Sequence, residues 1–188
     1  MALTKVRPAG ITDMGMVKLE TVSSTSAVSS VDISVDYSTY TNFRLIMNIV
    51  GDSSSGIDGR ITWKRAGESS FDTGAVYGAQ AVLLDADNNH VNQNGTATHL
   101  YFTGNPQQAA NRGFQCDLFF GGIGSSSIPS AMHGITTLTS LQADAVSSFA
   151  LGGSYDNATN ARERITAMQV SFSTGNISEI HYTLYGMG

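Results

Sequence analysis

Cysteine is nearly missing from this chain. Cys116 stands alone among 188 residues. One thiol makes neither an intrachain disulfide framework nor a cysteine-rich zinc site. Charge is also scarce. Asp, Glu, Lys and Arg make up 13 %, against about 25 % in an ordinary soluble domain. The formal net charge is −5, and the ten basic residues are scattered, densest at Lys64-Arg65 and at Arg162 with Arg164. Electrostatic binding of DNA or RNA needs clustered Lys and Arg, so no nucleic acid is expected as a partner. No run approaches the ~18 apolar residues of a bilayer span, and no basic flank followed by an apolar run opens the chain. The expectation is a soluble protein made in a cytoplasm, with no signal peptide and no membrane insertion.

Ser, Thr, Asn and Gly take the place of the missing charge, a composition that suits strands and turns better than exposed helices. Period-2 segments dominate accordingly. In SSVDISVDYS, Val31, Ile33, Val35 and Tyr37 share one face, and Asp32, Ser34 and Asp36 share the other. In NFRLIMNIV, Phe43, Leu45, Met47 and Ile49 share a face. The opposite face, Arg44, Ile46, Asn48 and Val50, is half apolar, which suits a central strand. GDSSSGIDG and GRITWKRAG follow, suggesting a hairpin with a loose connection. Further strands are expected in HLYFTG, GFQCDLFFGGI, HGITTLTSL, VSSFALGG, RITAMQVSFS and EIHYTLYG. YGAQAVLLDAD, Tyr77 to Asp87, is the one stretch read as helix. DNNHVNQNG, GNPQQAANRG and GSYDNATNARE read as loops. With about nine or ten strands and short connections, the expected fold is all-β: a two-sheet antiparallel β-sandwich, jelly-roll-like, over residues 16–188. Residues 1–15, MALTKVRPAGITDMG, lack a sustained period and read as an extended N-terminal arm.

Chemistry is hard to find in the chain. His90, His99, His133 and His181 have no His or Cys partner at metal-ligand spacing, so packing or surface roles are expected. DADNNH, from Asp85, opens like a calcium loop, but His90 stands where the turn needs Gly and Thr96 where a bidentate Glu belongs. GDSSSG, from Gly51, lacks the helix that a nucleophile elbow requires, and Asp52 and Ser53 read as turn residues. Asp144, Asp156 and Glu163 fall in or near loops, and the sequence alone does not set them at the separation that glycoside hydrolysis needs. The N-x-[ST] triplets at Asn94, Asn157 and Asn176 report Asn- and Thr-rich loops. Cys116 alternates with Phe114, Leu118 and Phe120, as a buried thiol in a strand would. Tyr101, Phe102, Tyr155, Tyr182 and Tyr185 are candidates for a sugar-stacking platform, with core and cross-strand pairing as the competing role. No catalytic, cofactor-binding or metal-binding residue is assigned.

The two ends carry a resemblance. MALTKVRPAGI at the start and VSFSTGNISEIHYTLYGMG at the finish resemble small tail-appendage and capsid-surface proteins of tailed bacteriophages, notably phages of marine bacteria and cyanobacteria. The matching residues are Phe172 through Ile177 and then Leu184, Tyr185 and Gly186. NFRLIMNIV followed by GRITWKR is similar to a strand pair of such proteins. The resemblance implies a non-enzymatic virion structural protein without cofactors. It implies a homotrimer attached to capsid or tail, with the arm as the contact to other virion proteins. The short arm argues for a capsid decoration protein or compact knob over a long tail fibre. The alternative is a receptor-binding tail-fibre module that recognises a host cell-surface glycan. At the C-terminal end, Gly175-Asn176 is expected to turn a hairpin that sets Val170 and Phe172 beside Ile180, Tyr182 and Leu184 on one core. Tyr185 then points to the other face.

Overall fold

A computed structural model describes residues 15–53, 57–84, 90–103, 113–125, 128–139, 146–155 and 164–188. The described residues form twelve strands and no helix: β1 (Met16–Ser24), β2 (Ser30–Ser34), β3 (Asn42–Gly51), β4 (Gly59–Arg65), β5 (Tyr77–Leu84), β6 (His90–Ala97), β7 (Leu100–Tyr101), β8 (Gly113–Gly121), β9 (Ala131–Thr139), β10 (Val146–Tyr155), β11 (Ile165–Phe172) and β12 (Ile177–Met187). They make two antiparallel sheets packed as a β-sandwich. One has eight strands in the order β1-β12-β3-β8-β9-β10-β5-β6, and the other has four, in the order β2-β11-β4-β7.

Alternation in the sequence becomes burial in the sandwich. Along β3, Phe43, Leu45, Met47 and Ile49 are buried, while Ile46 and Asn48 are exposed. Along β8, Phe114, Cys116, Leu118 and Phe120 face inward, as expected. Ile33 and Val35 are buried with Asp32, Ser34 and Asp36 outside. Two aromatic clusters tie the sheets together. Trp63 of β4 meets Tyr77, Tyr155 and Phe120 of the larger sheet at centroid distances of 6.2, 6.1 and 6.4 Å. Phe114 of β8 meets Phe172 of β11 at 5.8 Å and Phe102 at 6.5 Å. Ring pairs at these separations add to what their buried area supplies.

Several expectations need correcting. Tyr77–Leu84 is strand, although Ala, Gln and Leu favour helix. Tyr77, Ala79 and Ala81 are buried at every second position, and the backbone pairs with β10 on one side and β6 on the other. Pairing on both edges overrides a weak intrinsic preference. His90–Ala97 is also strand, because its backbone pairs with β5 despite a loop-like composition. β1, which shows no buried face of its own, is strand through its ladder with β12.

The two expected hairpins do not form. β3 pairs with β12 and β8, whereas β4 pairs with β11 and β7. β11 likewise lies in the smaller sheet and β12 in the larger. The connections therefore cross from sheet to sheet. The turn chemistry at the second connection is as read: Gly175 has φ +76°. The apolar faces also stand on one core as read, with Val170, Phe172, Ile180, Tyr182 and Leu184 all buried. They reach that core from opposite sheets. An Asp52 clamp holds the crossing. Its carboxylate accepts from the Asn176 backbone N–H at 2.6 Å and from Asn176 Nδ2 at 3.2 Å, and its own N–H donates to the Asn176 carbonyl at 3.0 Å.

Of the arm, only Gly15 is among the described residues. Ser54 to Gly56 of the GDSSSG loop, the DADNN stretch and the loop at 104–112 lie outside them. So do Asp144, Asp156, Asn157 and Glu163.

Candidate functional site

Eight strands cannot all be covered by four, and the larger sheet turns its second face to water. Register alone places the residues of that face. Tyr185, Arg44, Phe119 and His133 line up across β12, β3, β8 and β9. The next row is Thr183, Ile46, Asp117 and Ile135, continuing to Ala150 of β10. A third holds His181, Asn48, Gln115 and Thr137.

The first two rows are locked by charge and by stacking. Arg44 grips Asp117 with two parallel bonds, Nε to Oδ1 at 2.8 Å and Nη2 to Oδ2 at 2.6 Å. Such a fork fixes both side chains in orientation as well as in distance. The bonds from Arg44 hold the Asp117 carboxyl below the usual carboxylate range. The guanidinium also lies 4.9 Å from the centroid of Phe119, and Phe119 stacks on His133 at 5.3 Å with only 7° between planes. Cation, ring and imidazole thus form one flat, pre-ordered strip. Beside it Ile135 is 59 % exposed and Ile46 is 38 % exposed.

The same face runs to an open edge. β1 is exposed from Met16 through Thr21, so neither of its faces is packed there. Met16, Val17 and Leu19 are among the exposed large apolar residues, and the Met16 sulfur lies 3.7 Å from Arg44 Nη1. Among the described residues, β1 is an edge strand whose second ladder is unpaired. The sequence showed Ile46 and Val50 on a half-apolar face of β3 but gave no sign that Ile46 is exposed.

The sugar-stacking platform is not assembled. Phe102, Tyr155 and Tyr182 are buried in the core, Tyr101 lies on the smaller sheet, and Tyr185 points outward from the larger one, as expected. Tyr155 is spoken for: its hydroxyl donates to Asp72 Oδ2 at 2.6 Å. The three histidines whose side chains are described are also separate, and the His90 side chain lies outside the described ones. His133 stacks on Phe119, His181 bonds Ser23 at 2.6 Å and Glu179 at 2.7 Å, and His99 is buried. Burial pushes the Cys116 thiol up to about 12. Among the described residues, no group of three or more His, Cys, Asp or Glu is placed to hold a metal ion.

One concavity lies on the β4–β5 connection, with a volume of about 230 Å³, walled by Arg65, Glu68, Phe71 and Asp72 and by Ser70 and Thr73. Its floor is braced from below. The Tyr77 hydroxyl accepts from the Trp63 backbone N–H at 2.9 Å and donates to the Asp72 carbonyl at 3.0 Å. Compared with protein-family models, with curated proteins and with solved structures, the chain finds no significant match in any of the three.

Proposed function

We propose that this chain is a non-enzymatic virion structural protein of a tailed bacteriophage, a compact oligomeric β-sandwich attached to the capsid or the tail. The uncovered outer face of the eight-stranded sheet carries the interaction half of this reading. It offers a rigid Arg44–Phe119–His133 strip, exposed Ile46 and Ile135, and the open edge at β1. The virion half rests on the resemblance of the chain's two ends. In this reading the sandwich is jelly-roll-like and the chain a homotrimer, because closed symmetry is the ordinary way to cover an exposed edge. Residues 1–15 then reach a neighbouring virion protein.

Mass spectrometry of separated heads and tails tests the assignment. The chain should be found in one fraction at a fixed copy number. Its absence from purified particles would sink the reading. A second reading, a knob that recognises host glycan, draws on the concavity beside Phe71, where an aromatic ring, two carboxylates and hydroxyls meet. Binding to a glycan array with loss in Phe71→Ala would favour it over a purely structural role.

A further inference from the structure

Most buried polar groups in proteins are hydrogen-bonded, and each exception asks for a partner. Two of the exceptions belong to neighbouring segments of the smaller sheet, β4 and the residue just before β7. Arg60 Nε and His99 Nε2 are both buried nitrogens without a hydrogen-bond partner. Arg60 of β4 is the register partner of Tyr101 of β7. His99 precedes Tyr101 by two residues, and the two rings meet edge-on at 4.6 Å. The Arg60 charge acts on His99 across this corner. His99 is only 8 % exposed, yet just one of its ring nitrogens is engaged, Nδ1 with Thr98 Oγ1 at 2.9 Å.

We propose that the corner formed by Arg60, His99 and Tyr101 at the β7 edge of the smaller sheet binds an oxyanion, a carboxylate or a sulfate group. The chemistry follows from the donor count. When the Thr98 hydroxyl donates to Nδ1, His99 carries its proton on Nε2. The corner then holds two N–H donors, one on a permanent cation, and neither has an acceptor. A two-oxygen anion satisfies both, and charge-assisted bonds of this kind are about twice as strong as neutral ones. Arg60 as a whole is only half buried, although its Nε is fully buried. Asp58 is the competing group. It lies two residues before Arg60 and feels its charge, yet burial still raises its pKa. A bridging water is the alternative filler, and it predicts no anion dependence.

The test is an NMR titration of the full chain, following the His99 ring and the Arg60 Nε–H, with sulfate, acetate or chloride as the added ion. Sulfate or acetate should shift both signals in a saturable way and raise the His99 titration midpoint, while chloride does neither at equal ionic strength. Which of the two binds more tightly identifies the group carried by the natural ligand. Arg60→Lys keeps the charge but removes the Nε donor, and should weaken binding at least about tenfold. Asp58→Asn should tighten it. Shifts that are equal for chloride, or binding unchanged in Arg60→Lys, would overturn the site and leave water as the filler. Because these readouts need no particle, failure here leaves the structural reading of the outer face standing.

Discussion

At the scale of single residues, several positions admit no substitute. Gly134 of β9 is one. A Cβ there would stand 2.3 Å from the Asp117 carbonyl oxygen and 2.9 Å from Leu118 Cα. Both are backbone atoms of β8, which cannot swing away. Gly134→Ala should therefore lower stability by about 1–3 kcal/mol through overpacking, read from the urea midpoint. His99 gives a pH signature of the opposite kind from a surface imidazole. Burial and the nearby Arg60 lower its pKa from 6.5 to about 4. The unfolded chain binds the proton first, so stability is complete above pH 6.5 and falls as pH drops toward 4. By pH 4 the loss is about 3 kcal/mol in the absence of a bound anion. His99→Gln should flatten that part of the stability–pH curve, measured by thermal unfolding from pH 7 to pH 4. Cys116, with its thiol pushed up to about 12, should resist alkylation at pH 8 in the native protein and react on unfolding.

At the scale of elements, the sequence told faces apart better than it told partners. Alternation of Val31, Ile33 and Val35, or of Phe43 through Ile49, marks which side is buried because the pleat has a period of two. It contains nothing about which strand lies alongside. FSTGNIS has every local mark of a hairpin turn, yet β11 and β12 enter different sheets. A tight turn and a sheet crossing use the same Gly and Asn conformations. What distinguishes them here is Asp52, distant in sequence, whose carboxylate occupies the donors of Asn176. Asp52→Ala should release this crossing and cost about 1–2 kcal/mol, with faster hydrogen exchange at Asn176 as the local sign. Helix preference in Tyr77–Leu84 failed for a related reason: pairing on both edges is a tertiary fact, invisible in an eight-residue window. The outer face was hidden for the same reason. Arg44, Asp117, Phe119 and His133 come from three strands, and only register brings them together.

At the scale of the whole molecule, the two sides of the sandwich are unlike. The smaller sheet carries a polar outer row of Asp32, Gln169 and Thr62 across β2, β11 and β4, with Gln169 Nε2 donating to Asp32 at 2.9 Å. The larger sheet shows Ile46, Ile135, Phe119 and Tyr185 instead. Thr62 is itself buried, whereas Ile46 and Ile135 are exposed. Both isoleucines are exposed on the same row, so changing them costs the fold little. Ile46→Lys with Ile135→Lys should leave the melting temperature within a few degrees of the parent. The same pair of changes should abolish any association that uses this face. The decisive measurement is the occupancy of purified particles by this double variant beside the parent chain, after each is confirmed to be folded. The account predicts a folded protein that is missing from the particle. Full occupancy by the folded double variant would contradict it.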